Sequence, residues 1–301
     1  MSAAGAPRVK TREERWSEEA AFFDRAAQGV DTASLVLDPI AFGRYTRPKL
    51  RRRFSKEYRF HLLGDLQGRT LLDVGCGDGL NAVMMARMGA RVTGVDVSPG
   101  ALDLARRRAE VNGVADRVRF LCAPIEQAAL PPREFDIVWG DGILHHVLDD
   151  LDAVVRCLVR CAKPGGLILF AEPVNLSAPL RRLRRLVPVH TESTPGERPM
   201  VASELALVRR HVPDLRIRHY ALFGRVDRFV LVSYNYERSS PLRRAIVSGI
   251  DLVDWALLSV PAVRNLGSTC VMHGHAPVVD PNDPARNGTR PRESHEPLSH
   301  A

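Results

Sequence analysis

Residues 71–79 read Leu-Leu-Asp-Val-Gly-Cys-Gly-Asp-Gly, and this stretch decides the fold class. An apolar run, 70–74, stops at a turn carrying Gly75, Gly77 and Gly79, and a helical pattern follows from Leu80 to Met88. The order is strand, glycine turn, helix. Such a turn brings bare backbone against a ligand, and the helix start presents N–H groups and the positive end of a dipole. The plain alternative is a tight turn with no ligand. Three glycines in five residues, behind Asp73, argue against it.

Working outward, the same alternation repeats. Strands are expected at 70–74, 91–95, 118–122, 135–139 and 167–171, with helices at 79–88, 99–112 and 150–162 and a Pro164-Gly165-Gly166 turn before the last strand. Strands alternating with helices predict a parallel, doubly wound α/β sheet. After Glu172 the pattern changes: 173–200 is irregular and rich in Pro and Arg, then helix 202–211 precedes runs at 215–222 and 228–234 that read as an antiparallel edge hairpin. Ahead of the sheet, 13–27 has helical spacing of Trp16, Ala20, Phe23 and Ala27. Residues 38–45 look loop-like, and 48–63 reads as a basic amphipathic helix with Leu50, Phe54, Tyr58 and Leu62 on one side. A further apolar helix is expected near 241–258, and the polar 277–301 reads as disordered.

A dinucleotide fingerprint, G-x-G-x-x-G, needs a glycine at position 80, where this chain has Leu80. Glycines at i, i+2 and i+4, with Asp73 two residues ahead, instead resemble motif I of the class I S-adenosylmethionine (SAM) dependent methyltransferases, small-molecule (UbiE/UbiG-like) type. The resemblance covers about residues 65–235. It implies a Rossmann-like sheet of seven strands, mostly parallel with the last antiparallel, flanked by helices and carrying N-terminal helical and C-terminal additions. The domains expected are a helical cap or lid at 1–64, a methyltransferase domain at 65–235 with an insertion at 173–200, a helical extension at 236–276, and a tail at 277–301.

On that resemblance SAM is the cofactor. Asp73, Gly75, Cys76, Gly77 and Gly79 form the motif I cradle. Asp96, ending the second strand before Val97, can accept both ribose hydroxyls; the same logic would serve a dinucleotide, so it marks a ribose without choosing the cofactor. Relatives often place an Asp after the third strand for adenine; Pro124 holds that position here, leaving Ile125 as an apolar wall and Glu126 either as substitute acceptor or facing solvent. Gly140 and Asp141 fall where the methionine moiety lies. His145-His146 resembles the L-H-H run of small-molecule methyltransferases. Adjacent histidines on a helical turn point apart; a packed core histidine is the plainer reading for each. Base candidates are His145, His146, Glu172 and His190; for Glu172 a salt bridge with the following arginines is the alternative.

Net charge is +8 over 301 residues, with much of the excess in Arg44–Arg59 and Arg181–Arg185. Such patches attract phosphates, anionic lipid or acidic substrates, or are simply solvated. The N/D-P-P-Y/F motif of base-amide methylases is absent at 140–143, and no RNA module is recognisable, so nucleic acid is not the expected partner. No metal is expected: the five cysteines show no metal spacing and His273-Gly274-His275 lacks a ligand framework. They suit a reducing cytoplasm. No signal peptide or span-length apolar run is present. The leading function is methylation of a small hydrophobic acceptor of the aromatic, quinone-like or other secondary-metabolite class, at O, N or C. The alternatives are an RNA or protein methyltransferase using 44–59, a non-catalytic SAM-binding regulator, and a lipid-surface enzyme with peripheral membrane contact. Leu176, Leu180, Leu183, Leu186 and Val187, with Ile246, Leu252, Val253, Trp255 and Leu258, suit an apolar lid. Oligomeric state is not legible.

Overall fold

A computed structural model describes residues 11–46, 54–177, 182, 197–231 and 236–278 of the chain. At its centre β1 (Thr70–Val74) pairs in parallel with β2 (Arg91–Asp96) on one side and β4 (Phe135–Asp141) on the other. The sheet widens outward to β3 (Val118–Cys122) beside β2 and β5 (Ala162–Pro173) beside β4. Leu71, Leu72 and Val74 are fully buried, as a central parallel strand covered on both faces requires.

Successive strand residues feed two separate cores, because side chains alternate across the sheet. Leu72, Val138 and Ile168 pack with Leu151, Val155 and Leu158 of α6 (Leu151–Cys161) and Leu205 and Val208 of α7 (Ala202–His211). Leu71, Ile137 and Leu169 pack on the other face with Val83 and Met85 of α4 (Leu80–Arg87) and with Phe60 and Leu63 of α3 (Ser55–Leu63). Between β2 and β3 runs α5 (Pro99–Val111), started by Ser98, whose hydroxyl accepts from the Ala101 N–H, with Pro99 in its first turn.

The expected seven-stranded, mostly parallel sheet is present, but its edge differs from the expected hairpin. β6 (Arg216–Tyr220) lies at the edge, and residues 227–230 form a helical turn instead of a strand. The seventh strand is β7 (Thr269–His275), inserted antiparallel between β5 and β6 to give the order β3-β2-β1-β4-β5-β7-β6. The sheet therefore reaches residue 275, past the expected boundary at 235. Gly274 permits the close fit: a Cβ there would lie 2.5 Å from Val212 Cγ1. Pro164-Gly165-Gly166 lies inside β5 as an irregularity, where register against β4 shifts between Phe135 and Ile137 and Gly165 takes φ 73°.

The additions also depart in part. α1 (Arg12–Gln28) begins with a Thr11–Glu14 capping box. The expected loop at 38–45 is α2 (Pro39–Thr46), capped by Asp38 Oδ1 on the Ile40 N–H at 2.8 Å. α3 buries Glu57, Arg59, Phe60 and Leu63, while Tyr58 and Leu62 are only half-buried; Leu50 lies outside the described residues. α8 (Pro241–Leu257) turns Ile246, Leu252, Val253 and Trp255 to solvent, so those four do not line an internal lid, whereas Leu258 just after it is buried. Leu180, Leu183, Leu186 and Val187, and the expected tail from 279, lie outside the described residues. Among the described residues no helix is long and apolar enough to cross a membrane.

Candidate active site

The carboxyl ends of β1, β2 and β4 open onto one cavity, as expected for an open α/β sheet. The three glycines of the β1–α4 turn all take positive φ, and they serve different needs. A Cβ on Gly75 would lie 2.7 Å from Ile143 Cδ1, and one on Gly79 would lie 2.7 Å from Ala105 Cβ, so these two allow close packing. A Cβ on Gly77 would meet nothing within 4 Å, so its bare backbone faces open space. Asp96 is tied to that backbone: Oδ2 accepts the Gly77 N–H at 2.8 Å, and Oδ1 accepts the Ser98 N–H at 2.9 Å.

The cavity, of about 210 Å³, is lined by the expected Gly75, Gly77, Asp96, Val97, Ile125, Glu126 and Asp141. Asp73, Cys76, Gly79 and Gly140 do not line it. Asp73 and Cys76 are buried beneath the turn, and Gly140 packs on Ile143 and Phe170. The remaining wall comes from outside the sheet. Trp16, Glu19 and Phe23 of α1 close one side, and Ile143, His146 and Val147 the other. α1 is seated by polar contacts: Asp24 Oδ1 accepts from the Ser98 hydroxyl at 2.6 Å and from the Gly100 N–H at 2.8 Å at the start of α5. Arg15 reaches Asp150 at 2.8 Å and Glu126 at 3.5 Å, so Glu126 both lines the cavity and anchors α1. Trp16 and Phe23 belong to the apolar stripe visible in the sequence; Glu19 lies one turn from each and gives no local signal of its role.

The lining is acidic although the chain is basic: Glu19, Asp96, Glu126 and Asp141 all face the cavity. Burial pushes the Asp96 carboxyl up, against the backbone N–H groups that favour its anion. Burial also pushes Asp141 up, but Arg59, at 2.5 Å, and the Asn81 amide outweigh it and hold Asp141 below the usual carboxylate range. Beneath the turn, burial and then the nearby Asp141 and Asp96 drive Asp73 well above that range. Burial lowers the Lys56 amine to about 8.

Of the arginines that follow Glu172, Arg181, Arg184 and Arg185 lie outside the described residues, and Glu172 itself does not line the cavity. Its fully buried carboxylate accepts the N–H groups of Ile143 at 3.0 Å and Leu144 at 2.8 Å, and Oε2 lies 2.8 Å from His145 Nδ1. It caps the turn 144–146 and orients His145. His145 Nε2 is 3.0 Å from Glu197 Oε1. Burial alone would lower the His145 imidazole; Glu172 and Glu197 outweigh it and raise it. His146 lines the cavity with Phe23 beside it while His145 stands behind, but the rings do not point apart as expected: their centroids are 4.2 Å apart and both Nε2 atoms approach Glu197. Donor atoms of His145, His146 and Glu197 lie within 4.8 Å of one another, a grouping that the expectation of no metal missed because Glu197 is remote in sequence. His190 lies outside the described residues.

Of the basic run, Arg44 is turned inward to Glu57 at 3.3 Å and Glu237 at 2.8 Å, and Arg59 to Asp141. Residues 47–53 lie outside the described set.

The sheet order, the glycine turn and the acid at the end of β2 define the Rossmann-like class I methyltransferase architecture. Residues 72–170 match the family described as "Methyltransferase domain". It is 36% identical over 167 residues to a ubiquinone biosynthesis O-methyltransferase of Methylocella silvestris, covering 52% of this chain and 63% of that protein. It is 44% identical over 115 residues to the protein of the same name from Alkalilimnicola ehrlichii, covering 38% and 46%. The chain thus spans less than two thirds of the length of these relatives. Among solved structures, geranyl diphosphate C-methyltransferase from Streptomyces coelicolor superposes with a TM-score of 0.53 at 19% identity, over 91% of this chain and all of the other. A Haemonchus contortus phosphoethanolamine N-methyltransferase in complex with SAM gives 0.53 at 16% identity, over 86% and 60%. At those identities the likeness is one of fold.

Proposed function

We propose that the chain is a SAM-dependent methyltransferase acting on a small, hydrophobic, quinone-like or aromatic acceptor, with oxygen as the methylated atom. The observation that carries the reading is the Asp96–Gly77 pair on the wall of a cavity with an acidic lining. The residues present fit SAM. Gly77 leaves open space beside its backbone. Asp96 keeps lone pairs for ribose hydroxyls. Val97 and Ile125 offer an apolar slot for a purine with Glu126 at its edge, and Asp141 and Glu19 suit a cationic ligand. SAM would supply a methyl group on an electrophilic sulfonium.

The chain's own part is positioning. Holding donor and acceptor in line, without water between them, contributes on the order of 7–11 kcal/mol at best. Asp96 and the glycine turn would fix one end of the cofactor, and Asp141, held ionised by Arg59, the other. α1 covers the cavity, with Trp16 and Phe23 excluding water. His146 forms the acceptor side, and Glu172 fixes His145 behind it. Oxygen as acceptor is supported by the names of the relatives, as is a quinone-like ring. Action in a reducing cytoplasm is part of the proposal and is supported by five free cysteines.

Single-turnover transfer from methyl-labelled SAM, with a panel of catechols, phenols and quinols beside RNA and a protein extract, tests this. Label in the aromatic hydroxyl products supports it. Label only in RNA or protein, or SAM binding with no transfer to any acceptor, overturns it in favour of a macromolecular enzyme or a regulator.

A further inference from the structure

We propose that His145, His146 and Glu197 form a site for a divalent transition metal of the zinc class at the edge of the cavity, where His146 lines the wall and His145 stands behind it. The three residues come from two places: the turn after β4 supplies both imidazoles, and the segment before α7 supplies the carboxylate. Glu197 Oε1 stands 3.0 Å from His145 Nε2 and 4.0 Å from His146 Nε2. In a tetrahedral zinc site neighbouring ligand atoms are about 3.3 Å apart, so small side-chain rotations close this set around an ion.

The outer contacts support the same reading. A metal-binding imidazole usually gives its second nitrogen to a carboxylate, which fixes the tautomer and turns the other lone pair to the metal. His145 Nδ1 is 2.8 Å from the fully buried Glu172. Glu19 Oε1 is 3.7 Å from His146 Nδ1, a buried nitrogen without a hydrogen-bond partner among the described residues. Each ring thus has a carboxylate on its Nδ1 side, and both Nε2 atoms converge on one glutamate. Two imidazoles and one carboxylate suit zinc and its neighbours better than magnesium or calcium, which favour all-oxygen shells. A tetrahedral ion held by three ligands keeps a fourth position open.

This deepens the methyltransferase reading and rests on it for its purpose. An acceptor hydroxyl bound at the open position would lose its proton to water more readily and would be held against the cavity. The site itself does not depend on that reading, since binding of metal and of SAM are separate measurements. The plain alternative is a protonated His145 bridging Glu172 and Glu197 with no ion.

The test is calorimetric titration of the chelator-treated full chain with Zn²⁺, repeated with Co²⁺ under visible absorption. His146→Gln, Glu197→Gln and the surface control His275→Gln are run alongside. Among the described residues the exposed His275 pairs with Asp214, and it reports adventitious binding. The proposal expects one tight equivalent in the wild type, weakened at least about 10–100-fold in H146Q and E197Q and unchanged in H275Q. Glu197 is partly exposed, so E197Q guards against loss through misfolding. No tight equivalent in the wild type, or equal affinity in E197Q, overturns the site. A wild type that binds Zn²⁺ but not SAM keeps the metal site and refutes the methyltransferase reading; SAM binding without Zn²⁺ binding does the reverse.

Discussion

Gly77 donates its backbone N–H to Oδ2 of Asp96 at 2.8 Å, and this bond ties the turn after β1 to the acid that ends β2 at the wall of the cavity. It makes the glycine turn and the β2 acid a single unit. It also separates the roles of two glycines only two residues apart. Gly77→Ala adds a methyl to open space at φ 51°, whereas Gly79→Ala adds one 2.7 Å from Ala105 at φ 74°. Both carry the strain of a left-handed residue, about 1–2 kcal/mol. G79A adds overpacking of about 1–3 kcal/mol. Denaturant unfolding should therefore show G79A as the less stable of the pair, while SAM titration shows the loss of affinity in the still-folded G77A. Equal stabilities would contradict the assignment.

Glu172 is a buried carboxylate that accepts two close backbone N–H groups and holds His145. Removing one partner from such a buried set costs about 3–5 kcal/mol. Glu172→Ala is expected to lose that much in urea unfolding. A loss below about 1 kcal/mol would show that the 144–146 turn does not depend on it.

Arg59 and Asp141 form an ion pair between α3 and the end of β4, with the arginine side chain only 7% exposed. A double-mutant cycle with Arg59→Met and Asp141→Asn should give a coupling of about 0.5–3 kcal/mol. R59M alone removes the cation that holds Asp141 ionised, so the Asp141 carboxyl should rise. Zero coupling would mean the pair does not tie the N-terminal addition to the sheet.

His219, buried on β6, is lowered to about 4 by burial and then by Arg264. An unfolded histidine titrates near 6.5. Above that value both states are neutral and the fold keeps its full stability. As pH falls from 6.5 towards 4 the unfolded chain takes up the proton first, so stability drops, by up to about 3 kcal/mol. His219→Phe should flatten unfolding free energy against pH over that window relative to wild type. An unchanged slope would contradict the burial of a neutral ring.

Local signals carried the centre of the molecule. The β1 turn, Asp96 and the β4 end were legible because each is a short segment whose residue types meet a backbone demand on the spot. The edge of the sheet was not. Residues 228–234 are rich in β-branched and aromatic types, while 269–275 contains two histidines and a glycine, so propensity favours the first segment although 227–230 is helical. Pairing with β5 across nearly a hundred residues selects Thr269–His275, and Gly274 admits the contact with Val212. Similarly, Glu172 reads as a base candidate at a strand end, but its partners are backbone N–H groups and the His145 ring, which come to it only once the 144–146 turn has formed. Glu19 and Glu197 reach the site by docking of distant elements, which no local pattern encodes.

The central claim is that the Asp96–Gly77 unit holds the ribose of SAM. Calorimetric titration of the full chain with SAM and S-adenosylhomocysteine, beside Asp96→Ala, tests it most directly. The account predicts micromolar binding to the wild type, weakened at least about 10-fold in D96A, since a hydrogen bond to a charged group is worth about 1.5–3 kcal/mol. Equal affinity for the folded variant, or no binding by the wild type, would contradict it.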